Sequence, residues 1–344
     1  MIGRDSDDRQ ATDSTPAFEP GPNPSPPAPT PRRRLHPLVR AFAYLFLGLG
    51  AWTVFVILAS FVVIGLGWAS FDEPTNPALL TAQVLATVPA IVVVCLLWRV
   101  LSGQSLGALG YAGGTALAVR ELLVGLAMGV GLLLVPWVIS FVLGTATVHF
   151  TPSGLGGALL WIPLLLIAAH WEEVLCRGAV QQDLSWRWPW LGLVLSSAFF
   201  MLLHAGNPGL ASDPAVHRLA LINIALAGLL LGAVFWHTRR LWLVTGLHLS
   251  WNWTQGCLFG IEVSGMSLPS VLETRFEGEG WLTGGDFGLE GSALTTATLV
   301  PALLIALYQG YRKRDDETPD DGSAGSPTEP PTEPEEEQSV EMLS

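Results

Sequence analysis

Residues 159–177 read LLWIPLLLIAAHWEEVLCR. The apolar run Leu159–Ala169 leads into two glutamates, Glu172 and Glu173, and Arg177 follows one helical turn later. The run predicts a membrane-spanning helix, and carboxylates are costly at bilayer depth unless they face a partner or a water-filled cavity. The stretch therefore predicts a polytopic membrane protein with a buried polar site.

The composition supports a membrane protein rather than a soluble domain. Half of the residues are hydrophobic, 13% are charged and the mean hydropathy is +0.45. Apolar stretches near the ~20 residues that cross a bilayer recur along the chain and predict an all-α fold of eight spans. These spans are expected at about 41–69, 79–101, 121–144, 157–178, 189–206, 217–237, 241–260 and 292–311.

The two ends of the chain differ in composition from this apolar part. The net charge is −12, and eleven carboxylates lie after Arg314 with no basic residue among them. Both ends are rich in Pro and polar residues, which predicts disordered tails at 1–36 and 315–344 around a membrane domain at 37–314. A regulatory or docking role for a tail is the alternative. No short apolar region of a cleavable signal peptide follows the start, so the first span is expected to direct insertion.

Basic residues predict the orientation, because cytoplasmic loops hold the excess of Lys and Arg. If the N-terminus is inside, the outer connections hold only Arg218 and Arg275. The other connections, which are then cytoplasmic, hold the remaining basic residues between and after the spans. This pattern favours eight spans with both termini in the cytoplasm. Sixteen Arg beside a single Lys indicate a GC-rich genome, and hence an integral protein of a bacterial cell membrane.

Further polar residues lie in the later spans. His204 ends the apolar run Leu191–Leu203, and His248 and Asn252 lie four residues apart in the seventh span. Residues four apart share a helix face, so His248 and Asn252 project together. The same spacing predicts an ion pair between Glu173 and Arg177. Glu172 then points about 100° away and is free to take protons.

Chain geometry predicts that these residues meet. Glu172 and His204 are each sixteen residues from position 188, in the Trp-rich turn between the fourth and fifth spans. His248, however, lies ~13 Å from its cytoplasmic turn and Glu172 ~24 Å from its own. The depths agree if the fourth and fifth helices extend into the cytoplasm at the polar stretch 181–185. The site is then expected in the membrane, nearer its cytoplasmic face.

Two features leave alternatives open. The outer segment 261–291 is either an exposed loop or a cap folded over the site. Cys95, Cys176 and Cys257 are typical of apolar packing residues rather than of a disulfide framework or a zinc cage. The less favoured alternative is that Cys176, which lies next to the acidic pair, acts as a nucleophile.

These residues resemble the motifs of the CAAX-protease and bacteriocin-processing intramembrane endopeptidases, relatives of the type II CAAX prenyl endopeptidases. The family motifs EExxxR, FxxxH and HxxxN stand here as Glu172–Arg177, Phe200–His204 and His248–Asn252. The resemblance covers a protease core at about 155–293, including the stretch Trp253–Gly256. Three motifs in order on successive predicted helices are specific, although each one alone is weak.

The resemblance implies proteolysis of a membrane-associated peptide or protein. Glu172 would activate water as a general base, His204 would position that water, and His248 with Asn252 would stabilise the oxyanion. Glu173, Arg177 and Phe200 would support the geometry. No cofactor is favoured, since HExxH is absent, although Glu172, His204 and His248 are the set that zinc would use.

Two hypotheses from other classes remain at this point. Buried carboxylates and histidines also form the proton relays of transporters, but the chain shows no internal repeat. A non-catalytic scaffold or immunity protein that binds membrane peptides is the third interpretation, and the complete motif set argues against it. Nothing in the sequence indicates a nucleic-acid partner. The bilayer and a membrane-associated substrate are the expected partners.

Overall fold

The computed structural model describes residues 35–73, 76–207 and 213–317. The predicted tails lie almost wholly outside these ranges. The last helix continues to Glu317, a little beyond the predicted start of the C-terminal tail at 315.

Eight helical segments overlap the eight predicted spans. In chain order the helices are α1 Pro37–Gly65, α2 Pro77–Leu85, α3 Thr87–Ser102, α4 Thr115–Val142, α5 Leu155–Glu173, α6 Gln182–Ser185, α7 Pro189–His204, α8 Pro214–Thr238, α9 Leu241–Trp253, α10 Gly280–Thr283 and α11 Ala293–Glu317. Helices α2 and α3 together make one segment, whereas α10 is a single short turn outside the spans.

Six segments of the described chain are long and apolar enough to cross a membrane. The other two carry site residues and are shorter: α7 has 16 residues, and α9 has 13 before it continues as a π-helix at Thr254–Leu258. The protein is therefore an integral membrane protein built from apolar helices, as the sequence predicts.

The helix that carries the two glutamates changes its winding at the site. Helix α5 ends at Glu173 and continues without a break as a π-helix, Val174–Gln181, and then as α6. The continuous segment Pro152–Ser185 has 34 residues, about 50 Å at the usual rise and longer than the hydrocarbon core of a bilayer. Wide turns of this kind occur often at functional sites, where they change the direction of side chains.

The polar stretch at the end of this segment is buried in protein. All residues of 181–185 are buried, and both oxygens of Asp183 accept hydrogen bonds from Arg40 of α1, at 2.8 and 2.9 Å. Asp183 therefore joins α6 to α1 through a buried ion pair. The extension of the fourth and fifth helices into the cytoplasm stays a prediction.

The segment 261–291 is an ordered cap rather than an exposed loop. It contains a strand, β2 Leu272–Phe276, which pairs antiparallel with β1 Ala146–Phe150, the strand after α4. The all-α prediction did not include this two-stranded sheet. Two 3₁₀ turns, Gly285–Phe287 and Leu289–Gly291, then lead the chain back to α11.

Helices α4 and α9 pack with their backbones in close contact. A methyl group added at Gly125 or Gly129 would collide with the carbonyl oxygen of Leu243 or Leu247, and one added at Gly246 would collide with the carbonyl of Leu122. Small residues allow such close approach in membranes, where dispersion contacts replace the hydrophobic effect between helices. This contact fixes the helix that presents His248.

Candidate active site

Glu172 lies next to both motif histidines. Its Oε2 is 3.7 Å from His204 Nε2 and 3.9 Å from His248 Nε2. These distances are too long for direct hydrogen bonds. The same oxygen is buried and receives no hydrogen bond from the described residues, although buried acceptors are nearly always satisfied. Glu172 therefore presents an unused acceptor between two imidazoles, and the predicted meeting of Glu172 and His204 is confirmed.

Glu173 faces the other side of the His248 ring. Its Oε1 lies 2.9 Å from His248 Nδ1 and accepts a hydrogen bond of 3.1 Å from Arg177 Nη1. The side chains of Glu173 and Arg177 are fully buried, which agrees with the predicted i, i+4 ion pair. His248 therefore stands between the two glutamates, with one ring nitrogen directed at each.

Arg177 connects this pair to two further elements. Its Nη2 donates to the carbonyl of Gly228 in α8, and its guanidinium lies 4.3 Å from the centre of the Phe200 ring. A cation over an aromatic face is attracted by the ring, and most strongly where water is excluded. Arg177 and Phe200 therefore hold the positions of α5, α7 and α8 around the acid pair.

The tautomer of His204 follows from its backbone contact. Its Nδ1 lies 2.8 Å from the carbonyl oxygen of Phe200, which can only accept, so Nδ1 carries the hydrogen. In the neutral ring Nε2 is then an acceptor directed toward Glu172. The FxxxH spacing makes this contact by placing the histidine one helical turn beyond the carbonyl.

A cavity opens beside these side chains. His204, His248 and Asn252 line it together with Phe200, so the structure brings the predicted residues of the second and third motifs to one surface. Half of the other wall residues are leucines and an isoleucine from α4, α8, α9 and α11: Leu132, Ile224, Leu230, Leu231, Leu247 and Leu299. The arrangement suits an apolar polypeptide segment whose backbone reaches the histidines.

Two wall residues come from the cap and were not predicted. Ser264 and Glu290 line the cavity, and Glu290 Oε2 accepts hydrogen bonds from the backbone N and the Oγ of Ser264, at 2.7 and 2.8 Å. No motif marks these residues. The only signal in the sequence is a carboxylate placed shortly before an apolar span.

Sequence reasoning also missed a second polar layer behind the acid pair. His170 Nε2 lies 2.6 Å from the Tyr111 hydroxyl and its Nδ1 lies 2.9 Å from Thr245 Oγ1. The His170 ring stacks on Trp242, with centroids 4.7 Å apart. His170 and Thr245 each precede a site residue by three positions, so this layer fixes the relative placement of α5 and α9.

Within the described ranges, no group of three or more His, Cys, Asp or Glu side chains is arranged to hold a metal ion. Glu172, His204 and His248 meet in this structure without forming such a group. Cys176 is free, fully buried and part of the apolar core, and the other two cysteines are also free, so packing accounts for all three.

Comparison with known protein families gives one match. Residues 154–254 match the family model described as type II CAAX prenyl endopeptidase Rce1-like. The matched part is similar to this family and covers less than a third of the chain. The match contains the three motifs Glu172–Arg177, Phe200–His204 and His248–Asn252, and it confirms the family resemblance predicted from them. This similarity supports a protease embedded in the membrane that acts on a peptide substrate.

The match ends before the cap, so Ser264 and Glu290 lie outside the Rce1-like segment. No curated protein shows significant similarity to the chain. No solved structure shows significant similarity to it either.

Proposed function

We propose that the protein is a glutamate-dependent intramembrane endopeptidase that hydrolyses a peptide bond of a membrane-associated peptide or protein. The observation that carries the proposal is the position of Glu172, whose buried Oε2 lies within 4 Å of the Nε2 atoms of His204 and His248. Such a carboxylate, in an apolar setting and next to imidazoles, is suited to general base catalysis.

The geometry fits one water molecule between Glu172 and His204. A water oxygen about 2.8 Å from both Glu172 Oε2 and His204 Nε2 completes a triangle, since those atoms are 3.7 Å apart. Both atoms are acceptors, so the water donates one hydrogen to each and directs a lone pair into the cavity. This is the orientation that attack on a carbonyl carbon requires.

The next step follows from the remaining side chains. The water oxygen bonds to the scissile carbonyl carbon while its proton passes to Glu172, and negative charge develops on the carbonyl oxygen. Asn252 donates to that oxygen from the cavity wall. His248 donates from Nε2 as an imidazolium, since Nδ1–H is held by the carboxylate of Glu173.

Collapse of the tetrahedral intermediate then breaks the carbon–nitrogen bond. Glu172 returns the proton that it took from water to the leaving amine, so the base becomes the acid and the carboxylate is regenerated. Protons and electrons balance in this sequence without a metal ion, and we propose that the enzyme is metal-independent.

The proposed setting is a bacterial cell membrane with both termini in the cytoplasm. The distribution of Arg over the connections supports this orientation. The apolar walls of the cavity support a substrate that reaches the site from the membrane. The bilayer and the substrate are then the partners, and none of the features described calls for a nucleic acid.

The test is to compare membrane proteins from cells that produce the wild-type chain with those from cells that produce Glu172→Gln. New N-termini are identified by mass spectrometry, and a Glu121→Gln variant serves as the control, since Glu121 pairs with Arg240 away from the site. Cleavage products should be present in the wild type and the control and absent in Glu172→Gln at equal protein level. Equal products in all three would refute the role of Glu172.

A further inference from the structure

The cavity wall contains one carboxylate that the proposed mechanism does not use. Glu290 lines the cavity from the cap, on the turn just before α11, and Ser264 lies next to it. Among the described residues, the only other titratable side chains that line the cavity are His204 and His248. A carboxylate is uncommon in a largely apolar wall because its charge is poorly solvated there.

The position of Glu290 is fixed from two sides. Ser264 donates to Oε2 from both its backbone N and its Oγ. Asn223 of α8 donates from Nδ2 to the carbonyl oxygens of Glu290 and Ser292, both at 2.8 Å, and its Oδ1 accepts from Thr296 Oγ1. The turn is therefore held against α8 by an amide whose hydrogen bonds all go to this turn and to α11.

One oxygen of Glu290 remains available. Both side-chain hydrogen bonds of the residue end on Oε2, and Oε1 receives none from the described residues. No Lys or Arg from the described part of the chain lines the cavity. A half-buried carboxylate with a free oxygen and no Lys or Arg beside it gains from a cation brought by a ligand, because the charge is then compensated where water is scarce.

We propose that Glu290 is the acidic end of a substrate subsite that takes a Lys or Arg side chain. The leucine-rich wall holds the aliphatic part of that side chain, and Glu290 Oε1 binds its charged end. The cap thus selects substrates that carry a basic residue near the scissile bond. The assignment of this cavity to substrate rests on the proposed endopeptidase function.

The subsite can be tested without catalysis. Binding of n-hexylammonium and of 1-hexanol to the purified full-length protein in detergent is measured by calorimetry for the wild type, Glu290→Gln and Glu277→Gln. The Glu290→Gln substitution keeps the shape of the side chain, and Glu277 is an exposed glutamate of the same cap. The wild type and Glu277→Gln should prefer the amine by about tenfold or more, and Glu290→Gln should lose that preference.

Equal binding of the amine and the alcohol by the wild type would overturn the subsite, whether or not any variant folds. A Glu172→Gln protein should keep the preference for the amine, so failure of the subsite is distinguishable from failure of the proposed function.

A second measurement uses a peptide library in which Lys, Arg, Gln, norleucine or Glu occupies each position around the cleaved bond. The wild type should cut peptides with Lys or Arg at one position at least about tenfold faster than those with norleucine. Glu290→Gln should reduce that ratio towards one while it still cuts the norleucine peptides. An unchanged ratio in Glu290→Gln would overturn the assignment.

Discussion

Glu173 Oε1 lies 2.9 Å from His248 Nδ1, although 75 residues separate the two positions in the chain. The contact joins the first motif to the third through a fully buried carboxylate. It also fixes which nitrogen of His248 is directed at Glu172. The second glutamate of the EE pair is thus a positioning residue for an imidazole on another helix.

We expect Glu173→Gln to lower kcat by about 100-fold or more while KM changes little. The uncharged amide no longer stabilises the imidazolium form of His248, which acts only on the developing oxyanion. Steady-state kinetics on a cleaved peptide provide the measurement, with Glu121→Gln as a control that also removes the acid of a Glu–Arg pair. An increase in KM alone would contradict this role.

The glycine contact between α4 and α9 predicts a second result. Gly129→Ala places a methyl group against the carbonyl of Leu247 and the Oγ of Ser250, so α9 must shift and carry His248 with it. We expect a loss of about 1–3 kcal/mol in the free energy of unfolding, together with lower activity. Gly131→Ala is the matched control on the same helix, since nothing lies within 4 Å of a methyl group there. Equal thermal stability of the two variants would show that α4 and α9 are farther apart than described.

Removal of metal ions gives a third test. Because the proposed cycle uses only Glu172, His204, His248 and Asn252, dialysis against EDTA and then 1,10-phenanthroline should leave the rate of peptide cleavage unchanged. Elemental analysis of the dialysed protein serves as the control for metal removal. Loss of activity that returns on addition of zinc would instead establish a metalloprotease.

The stability of the protein should depend on pH through Glu290. Burial raises the pKa of the Glu290 carboxyl above its ordinary value of 4.5, although hydrogen bonds from Ser264 and the nearby histidines act in the opposite direction. Well below pH 4.5 the carboxyl is protonated in both the folded and the unfolded chain and contributes nothing. As the pH rises above that value, the unfolded chain ionises first, and the folded state loses stability relative to it.

Glu290→Gln removes this effect. The melting temperature of the variant, relative to that of the wild type, should therefore increase as the pH rises from about 4 to about 7. Thermal unfolding in detergent across this range measures the difference, and Glu277→Gln, exposed on the same cap, should follow the wild type. A difference that is constant with pH would contradict the raised pKa.

Some features of this protein follow from short stretches of its sequence, and others depend on its tertiary structure. The eight spans could be predicted because apolar runs of bilayer length leave few alternatives to a membrane helix. The i, i+4 pairs Glu173–Arg177 and His248–Asn252 could be predicted from helix geometry alone, and equal distance from a turn indicated that Glu172 and His204 meet. The length of an apolar run, the period of a helix and the distance from a turn are all read from short stretches of the sequence.

The cap, the contact between Glu173 and His248, and the subsite at Glu290 were decided by tertiary structure. Each joins residues that are distant in the chain, and no periodicity relates residue 173 to residue 248 or strand β1 to β2. The chain alone thus determined which side chains must be buried in the membrane. The packing of α4 on α9 and of the cap on α8 decided which of them face one another, because such contacts depend on the relative positions of whole helices.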